Sequence, residues 1–395
     1  MLSREDLYTA SIKIIRDHQN RNGSYIASPN FSEYRYSWLR DGSFIGYGML
    51  KSGNADSTEA FLRWTGSTII RNQPHWDTLK QEIRVGGVLS QKAHMPTRFT
   101  LDGKVTGTDW PEFQIDGYGA WLWLLDEWCS QQGRPVPEWA APAVKITLDY
   151  LALTWDVPNY DAWEEHGDKV HPATLSCVYA GMNRMKARGF SVQINPEVIR
   201  DLALSAPTDD GTVPKYLGSN EVDASLLWCA VPFQMVRTDE PVMIRTLQKI
   251  EKDLLRDGGV HRYAADTYYG GGRWILLTAW LGWYYLRVGR TEEAEHCASW
   301  IEAQAGESGS LPEQVTDRPI EPKMVASWIN RWGEVANPLL WSHGMYLVLA
   351  SELRKYAGGV GEKKLDRGGI YETANNRPGN DGAAGNRIRL GPWSG

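Results

Sequence analysis

The chain has 395 residues, with 42 lysines and arginines against 48 aspartates and glutamates, for a formal charge of −6. An acidic balance without a basic stripe argues against a nucleic-acid partner, and no window approaches the ~18 uninterrupted apolar residues of a membrane span. The 19 tryptophans and 18 tyrosines outnumber the 7 phenylalanines, an excess that core packing does not require; indole and phenol add a polar edge to a flat apolar face, which suits a carbohydrate, although many of them must be core.

Apolar residues recur at helical spacing near 2–19, 55–71, 115–131, 139–153, 171–187, 196–205, 222–236, 239–256, 272–289, 291–305 and 338–356. No convincing run alternates as a strand would. The N-terminal stripe is polar and amphipathic and lacks a signal-peptide core, so a cytoplasmic location is the expectation. Between the helices lie loops rich in Gly, Pro and Asp at 20–34, 72–112, 154–169, 206–221, 257–271 and 307–337. They are longer than ordinary helix connections, and long structured loops in a compact domain carry function. No linker divides residues 1–358. The expected architecture is all-α: one domain of paired antiparallel helices closed into a ring of about a dozen. The Gly/Asn/Arg-rich tail, 359–395, is expected to be irregular. Cys129, Cys177, Cys229 and Cys297 are widely spaced within apolar patterns and read as buried free thiols.

Each long loop carries a polar–aromatic cluster. In YRYSWLRDGSF (34–44), Arg40 and Asp41 precede a helix: either an N-cap with a surface arginine, or an acceptor of sugar hydroxyls oriented by its neighbour. In GTDWPEFQIDGYGAW (107–121), Trp110 can stack on a ring while Gln114 and Asp116 bind hydroxyls; helix capping by Asp109 or Asp116 is an equal alternative. YDAWEE (160–165) packs three carboxylates and two aromatics into six residues. It is either an acidic first helical turn favoured by the dipole, or an acid/base site in which crowding keeps a proton on one carboxyl. In DGGVHRYAADTYYGGGRW (257–274), Arg262, Tyr263 and Tyr268 precede a glycine run. That run lacks GK[ST] and a preceding strand, so it reads as a tight approach to the next helix and not as a phosphate loop. GSLPEQVTD (309–317) presents Glu313, and NPLLWSHGMY (337–346) presents Trp341 and His343. The eight histidines show no metal-ligand spacing, and neither a GxSxG elbow nor a dinucleotide fingerprint occurs. Carboxylates on successive loops of a helical ring would converge on one face, the arrangement a glycosidase needs.

Taken together the clusters resemble, in kind and order, those of glycoside hydrolase family 15, the glucoamylase family; the match covers most of residues 30–355. The resemblance implies an (α/α)6 barrel and an inverting exo-α-glucosidase that needs no metal or organic cofactor. SWLRDG is similar to a segment whose Asp binds hydroxyls of the terminal glucose, which implies substrate binding by Trp38, Arg40 and Asp41. YDAWEE is similar to Asp-Leu-Trp-Glu-Glu, implying Glu164 as general acid, with Trp163 and Glu165 in binding. HRYAADTYYGGGRW implies binding by Arg262, Tyr263, Tyr268 and Trp274. GSLPEQ implies Glu313 as catalytic base, and the closing segment implies Trp341 at the pocket. An inverting pair stands roughly 6.5–9.5 Å apart to admit water.

Two departures stand out: Ala162 replaces Leu, and Gly272-Arg273 replaces Asn-Pro before Trp274. Arg273 introduces a new cation beside the pocket; it is also the one candidate to hold a uronate, should the barrel be a glucuronyl hydrolase instead. The chain starts almost at the barrel, without the β-sandwich or starch-binding module common in the family. That favours a small imported oligosaccharide, isomaltose and short α-1,6 oligomers first, with trehalose and maltooligosaccharides as alternatives. A sugar-binding protein without catalysis is the reading from another class, and the Glu164–Glu313 pair argues against it.

Overall fold

The computed structural model describes residues 2–84, with the backbone alone for 82–84, and 94–357. The expected irregular tail at 359–395 lies outside the described residues. The helices are α1 (Arg4–His18), α2 (Leu39–Lys51), α3 (Ala55–Arg71), α4 (Gln73–Arg84), α5 (Asp116–Gln131), α6 (Ala141–Thr154), α7 (Pro172–Ala187), α8 (Glu197–Ala203), α9 (Pro241–Leu254), α10 (Ile275–Arg287), α11 (Thr291–Ala303), α12 (Pro322–Trp332) and α13 (Leu340–Ala357).

An inner ring closes in the order α2, α5, α7, the 3₁₀ segment Ala224–Cys229, α10, α13 and back to α2. The outer layer covers it: α1 on α13, α3 on α2 and α5, α6 on α3, α5 and α7, α8 on α7, α9 on the 3₁₀ segment, and α11 on α10 and α13. Six inner and six outer positions make the expected (α/α)6 barrel. The fourth inner position differs from the expected helix over 222–236: it is a short 3₁₀ turn whose Asp223 side chain caps Ser225 N. Three further helices escape the sequence periodicity. α2 is buried almost without interruption from Leu39 to Leu50, so it has no polar face to reveal a period. α4 and α12 fall within spans read as loops, and each is amphipathic over fewer than four turns. Among the described residues no helix is long and apolar enough to cross a membrane, and all four cysteines are buried and unpaired.

Neighbouring inner helices approach backbone to backbone. A Cβ on Gly119 would lie 2.3 Å from the Cys177 carbonyl oxygen, and one on Gly48 2.3 Å from that of Gly344. Inside the ring the aromatics stack: Phe44 lies on Trp228 (centroids 5.1 Å, 26°) and on Trp341 (5.5 Å, 22°), and Trp228 meets Trp280 edge-on at 4.8 Å. Much of the tryptophan excess is therefore core, a column filling the barrel axis.

Short strands connect the loops above the ring. β1 (Ser37–Trp38) pairs with β2 (Arg98–Phe99). β3 (Leu255–Arg256), β4 (Gly259–Val260), β5 (Arg273–Trp274) and β6 (Gln314–Val315) form an antiparallel sheet in that order. β1 and β5 run directly into α2 and α10, so Trp38 and Trp274 stand at the mouths of those helices.

The glycines set a test of the packing. Gly119→Ala should cost about 1–3 kcal/mol, because the new methyl meets backbone that cannot give way. Gly66→Ala in α3, whose Cβ would find its nearest neighbour at 3.7 Å, should be neutral or stabilising by up to about 1 kcal/mol. Urea midpoints of the two variants check both signs.

Candidate active site

The loops preceding the inner helices surround one cavity of about 540 Å³. Trp110 and every residue that the family resemblance assigns to the site line it, except Tyr263; Gln114 and Asp116 do not line it and hold Arg40. Arg40 and Asp41 sit in the first turn of α2 and are buried; Asp41 is no N-cap, since Trp38 holds that position without a side-chain bond. The Arg40 guanidinium ties loops together. Its Nη1 donates to Gln114 Oε1 (2.6 Å) and to Asp116 Oδ2 (3.1 Å) at the start of α5, and it lies 5.6 Å above the Trp341 ring. Asp41 Oδ2 lies 3.5 Å from Arg40 Nε and has no hydrogen-bond partner among the described residues. Burial pushes the Asp41 carboxyl up to about 7, against the pull of Arg40.

The acidic loop 160–165 is not a helical first turn, because α7 begins only at Pro172. It is a tight reversal closed by Glu164 N→Asp161 O and Asp161 N→Glu165 O, both 3.0 Å. The Asp161 carboxylate accepts from Trp163 N and Glu165 N, each 2.9 Å, clamping the backbone on both sides of Glu164. Glu164 itself adopts φ 67°, in the left-handed region that non-glycine residues avoid. Its Oε1 accepts from Trp38 Nε1 (2.7 Å) and Gln114 Nε2 (3.1 Å). Glu165 turns to other partners: Tyr263 Oη donates to it at 2.7 Å and Arg262 Nη2 at 3.3 Å. Tyr263 thus holds a pocket carboxylate from behind instead of lining the cavity. The carboxyls around the cavity that burial raises include Asp161, to about 7, Asp41 and Glu313.

Arg262 is buried among Trp163, Tyr263, Tyr268 and Trp274, each ring centroid 5.2–5.5 Å away, and Asp266 grips it. The glycine run serves close approach, Gly270 to the segment entering α12 and Gly272 to the base loop. Gly271 has φ 68°, and a Cβ on Gly272 would lie 2.6 Å from the Val315 carbonyl oxygen, while Gly272 N donates to Gln314 Oε1 at 2.8 Å. Arg273 points away from the cavity, onto Asp317, the Asp257 carbonyl (3.2 Å) and the Trp300 ring (5.4 Å). It therefore neither alters the pocket nor offers a uronate site.

Glu313 is fixed through its backbone: its N–H donates to Ala336 O (2.9 Å) and its carbonyl accepts from Ile275 N at the head of α10 (3.3 Å). Oε1 accepts from Tyr34 Oη (3.0 Å), which is itself 2.9 Å from Tyr268 Oη. Oε2 is buried without a partner among the described residues. Desolvation outweighs Tyr34 and Arg262 and raises Glu313 to about 8. His343 is structural: Nε2 accepts from Leu311 N (3.1 Å), Nδ1 pairs with Ser11 Oγ (2.9 Å), and burial drops its pKa to about 3.

Sequence reasoning missed more than half of the residues that line the wall. Arg98, buried under Trp110 at 4.2 Å and paired with Glu112 at 3.3 Å, supports the loop that carries Trp110. Tyr34 and Tyr36 stood in a quoted motif without a role. Trp328, Arg331 and Trp332 of α12 also line the cavity, and their i, i+3, i+4 spacing was the available signal.

Carboxylates and indoles converging at the N-terminal ends of an (α/α)6 barrel define a carbohydrate-hydrolysing site. Residues 3–331 match the family described as Glycosyl hydrolases family 15; the chain belongs to that family and is a glycoside hydrolase. It is 42% identical over 358 residues to the isomaltose glucohydrolase of Kribbella flavida, covering 88% of this chain and 92% of that one. A glycosidase variant solved in complex with glucose superposes with TM-score 0.85 at 40% identity, over 90% of this chain and 99% of that one. A bacterial glucoamylase complexed with acarbose shares the fold, with TM-score 0.68 at 20% identity over 88% of this chain and 55% of that one.

The raised carboxyl of Glu313 makes a stability prediction. The unfolded chain loses this proton at its ordinary value of 4.5, whereas the folded chain keeps it to about 8. Between those values the folded state binds more protons, so this stabilisation is complete at low pH and is lost as pH rises toward 8. Glu313→Gln, which stays neutral, should lack this loss. Denaturant midpoints of wild type and variant should diverge as pH rises, the variant becoming the more stable.

Proposed function

We propose that the protein is an inverting exo-α-glucosidase that releases β-D-glucose from the non-reducing end of isomaltose and short α-1,6 oligosaccharides. The observation that carries this reading is the placement of Glu164 and Glu313 on different loops of one cavity, with Arg40, Asp41 and Arg262 beside them. The likeness to an isomaltose glucohydrolase over most of both chains supports the linkage. Residues 1–358 act as one catalytic domain, and buried free thiols fit a cytoplasmic location.

In this mechanism the terminal glucose enters hydroxyls first. Asp41 and Glu165 accept from them, Arg262 donates, and Trp163 and Trp341 supply apolar faces. The Glu164 carboxyl donates its proton to the glycosidic oxygen as the C1–O bond breaks. Glu313 accepts a proton from a water whose oxygen bonds to C1 from the opposite face, inverting the anomer. The products are β-D-glucose and the shortened sugar, whose former glycosidic oxygen now carries the proton as a free hydroxyl; Glu164 is left ionised and Glu313 protonated, and solvent restores both. The strained turn at Glu164 fixes the direction in which its proton is delivered.

NMR of fresh product tests the reading: β-glucose should appear from isomaltose faster than from maltose or trehalose. Glu164→Gln and Glu313→Gln should each lower kcat by about 10²–10⁴-fold. Initial α-glucose would refute inversion, a preference for maltose or trehalose would refute the linkage, and sugar binding without turnover would return a binding protein. The working enzyme carries one proton across the pair, and Glu313 sets its loss at about 8. kcat/KM should therefore fall above about that pH; an alkaline limb in the ordinary carboxylate range would contradict the burial argument.

A further inference from the structure

α12 is the one helix near the site that belongs to neither ring layer. It is inserted between the Glu313 loop and α13, contains no fully buried residue, and packs on the 3₁₀ segment Tyr268–Gly270. Its attachment is a short set of contacts: Ile320 N→Gly271 O (3.3 Å), Glu321 N→Gly270 O (2.9 Å), and Trp328 edge-on to Tyr268 at 5.1 Å. From this perch Trp332 lines the cavity opposite Trp110. Its indole lies nearly parallel to Trp110 of the opposite loop (centroids 6.4 Å, 26°), and Phe31 and Trp328 pack edge-on or tilted against it at 6.3 and 4.9 Å. Both partners are braced. Arg98 stacks under Trp110 at 4.2 Å, and Arg331, which has no ion-pair partner among the described residues, stacks on Trp332 at 4.9 Å.

A sugar ring cannot pass between two indoles this close, because it would need van der Waals contact with both faces at once. The bridge therefore marks where the substrate must end or bend. We propose that the Trp110–Trp332 bridge is a chain-length determinant: it bounds the site just beyond the leaving sugar, so that disaccharides fit and longer chains must part the bridge. This rests on the α-glucosidase reading above. The bridge acts on the leaving side, so it alters the length preference and leaves the anomeric outcome alone.

The test is kcat/KM for di- and tetrasaccharides in both the α-1,6 and α-1,4 series, for wild type, Trp332→Ala and Trp332→Phe. Wild type should favour the disaccharide. Trp332→Ala should raise the tetrasaccharide-to-disaccharide ratio by about tenfold or more, the scale of discrimination by a steric wall, and Trp332→Phe should restore most of the preference. Trp110→Ala should move the ratio in the same direction from the other side. The linkage series that is hydrolysed decides the substrate reading, and the length ratio within that series decides this one. An unchanged ratio in both alanine variants, or an equal loss on both lengths, would overturn the proposal.

Discussion

Every inner segment of the barrel directs its N-terminal end to the same side, and the rest of the molecule follows from that constraint. Helical hairpins alternate direction, so a closed ring of them must present like ends together. Those ends carry unpaired N–H groups and the positive pole of the helix dipole. Here they meet Asp41 and Asp116 in their first turns, and the acidic loop ahead of α7. Repulsion among so many carboxylates in one buried place would otherwise be severe. The helix ends, with Arg40 and Arg262, make the concentration of charge tolerable.

Compensation is uneven, and the unevenness is chemically useful. Glu165 accepts one donor on each oxygen, from Arg262 and from Tyr263, which fixes its orientation. Glu313 accepts from Tyr34 on one oxygen, and its other oxygen has no partner among the described residues, so burial dominates and raises its carboxyl. Asp161 spends its carboxylate on two backbone amides and thereby holds Glu164 in a conformation it would not choose. Environment separates the four acids into different tasks although their side chains are nearly identical.

The sequence was informative where chemistry is concentrated in short contiguous segments. The six clusters could be read directly, and the cavity gathers them. The outer helices were legible because one face is wet and the other dry. α2 was not, because burial on all sides erases the period, and its three glycines look like a loop until Gly48 is seen against Gly344. The span 222–236 showed the opposite failure: its apolar spacing is real, but the chain uses it in a 3₁₀ turn with tertiary partners. Arg273 was misjudged because sequence neighbours of Trp274 need not share its direction; in a strand, adjacent side chains face opposite ways. The wall supplied by α12 was hidden because a lining residue 19 positions after Glu313, Trp332, announces itself only once the chain has folded back.

The column of indoles beneath the cavity has a consequence for the order of events. Phe44, Trp228, Trp280 and Trp341 seal the barrel axis, so the site has a floor and sugar must enter and leave by the same mouth. If, as proposed, the terminal glucose is the unit released, it would lie deepest after cleavage with the shortened chain above it. That chain would have to depart before the glucose could, without threading forward for another cut. Such an enzyme would be distributive, and turnover of any longer sugar a succession of independent captures.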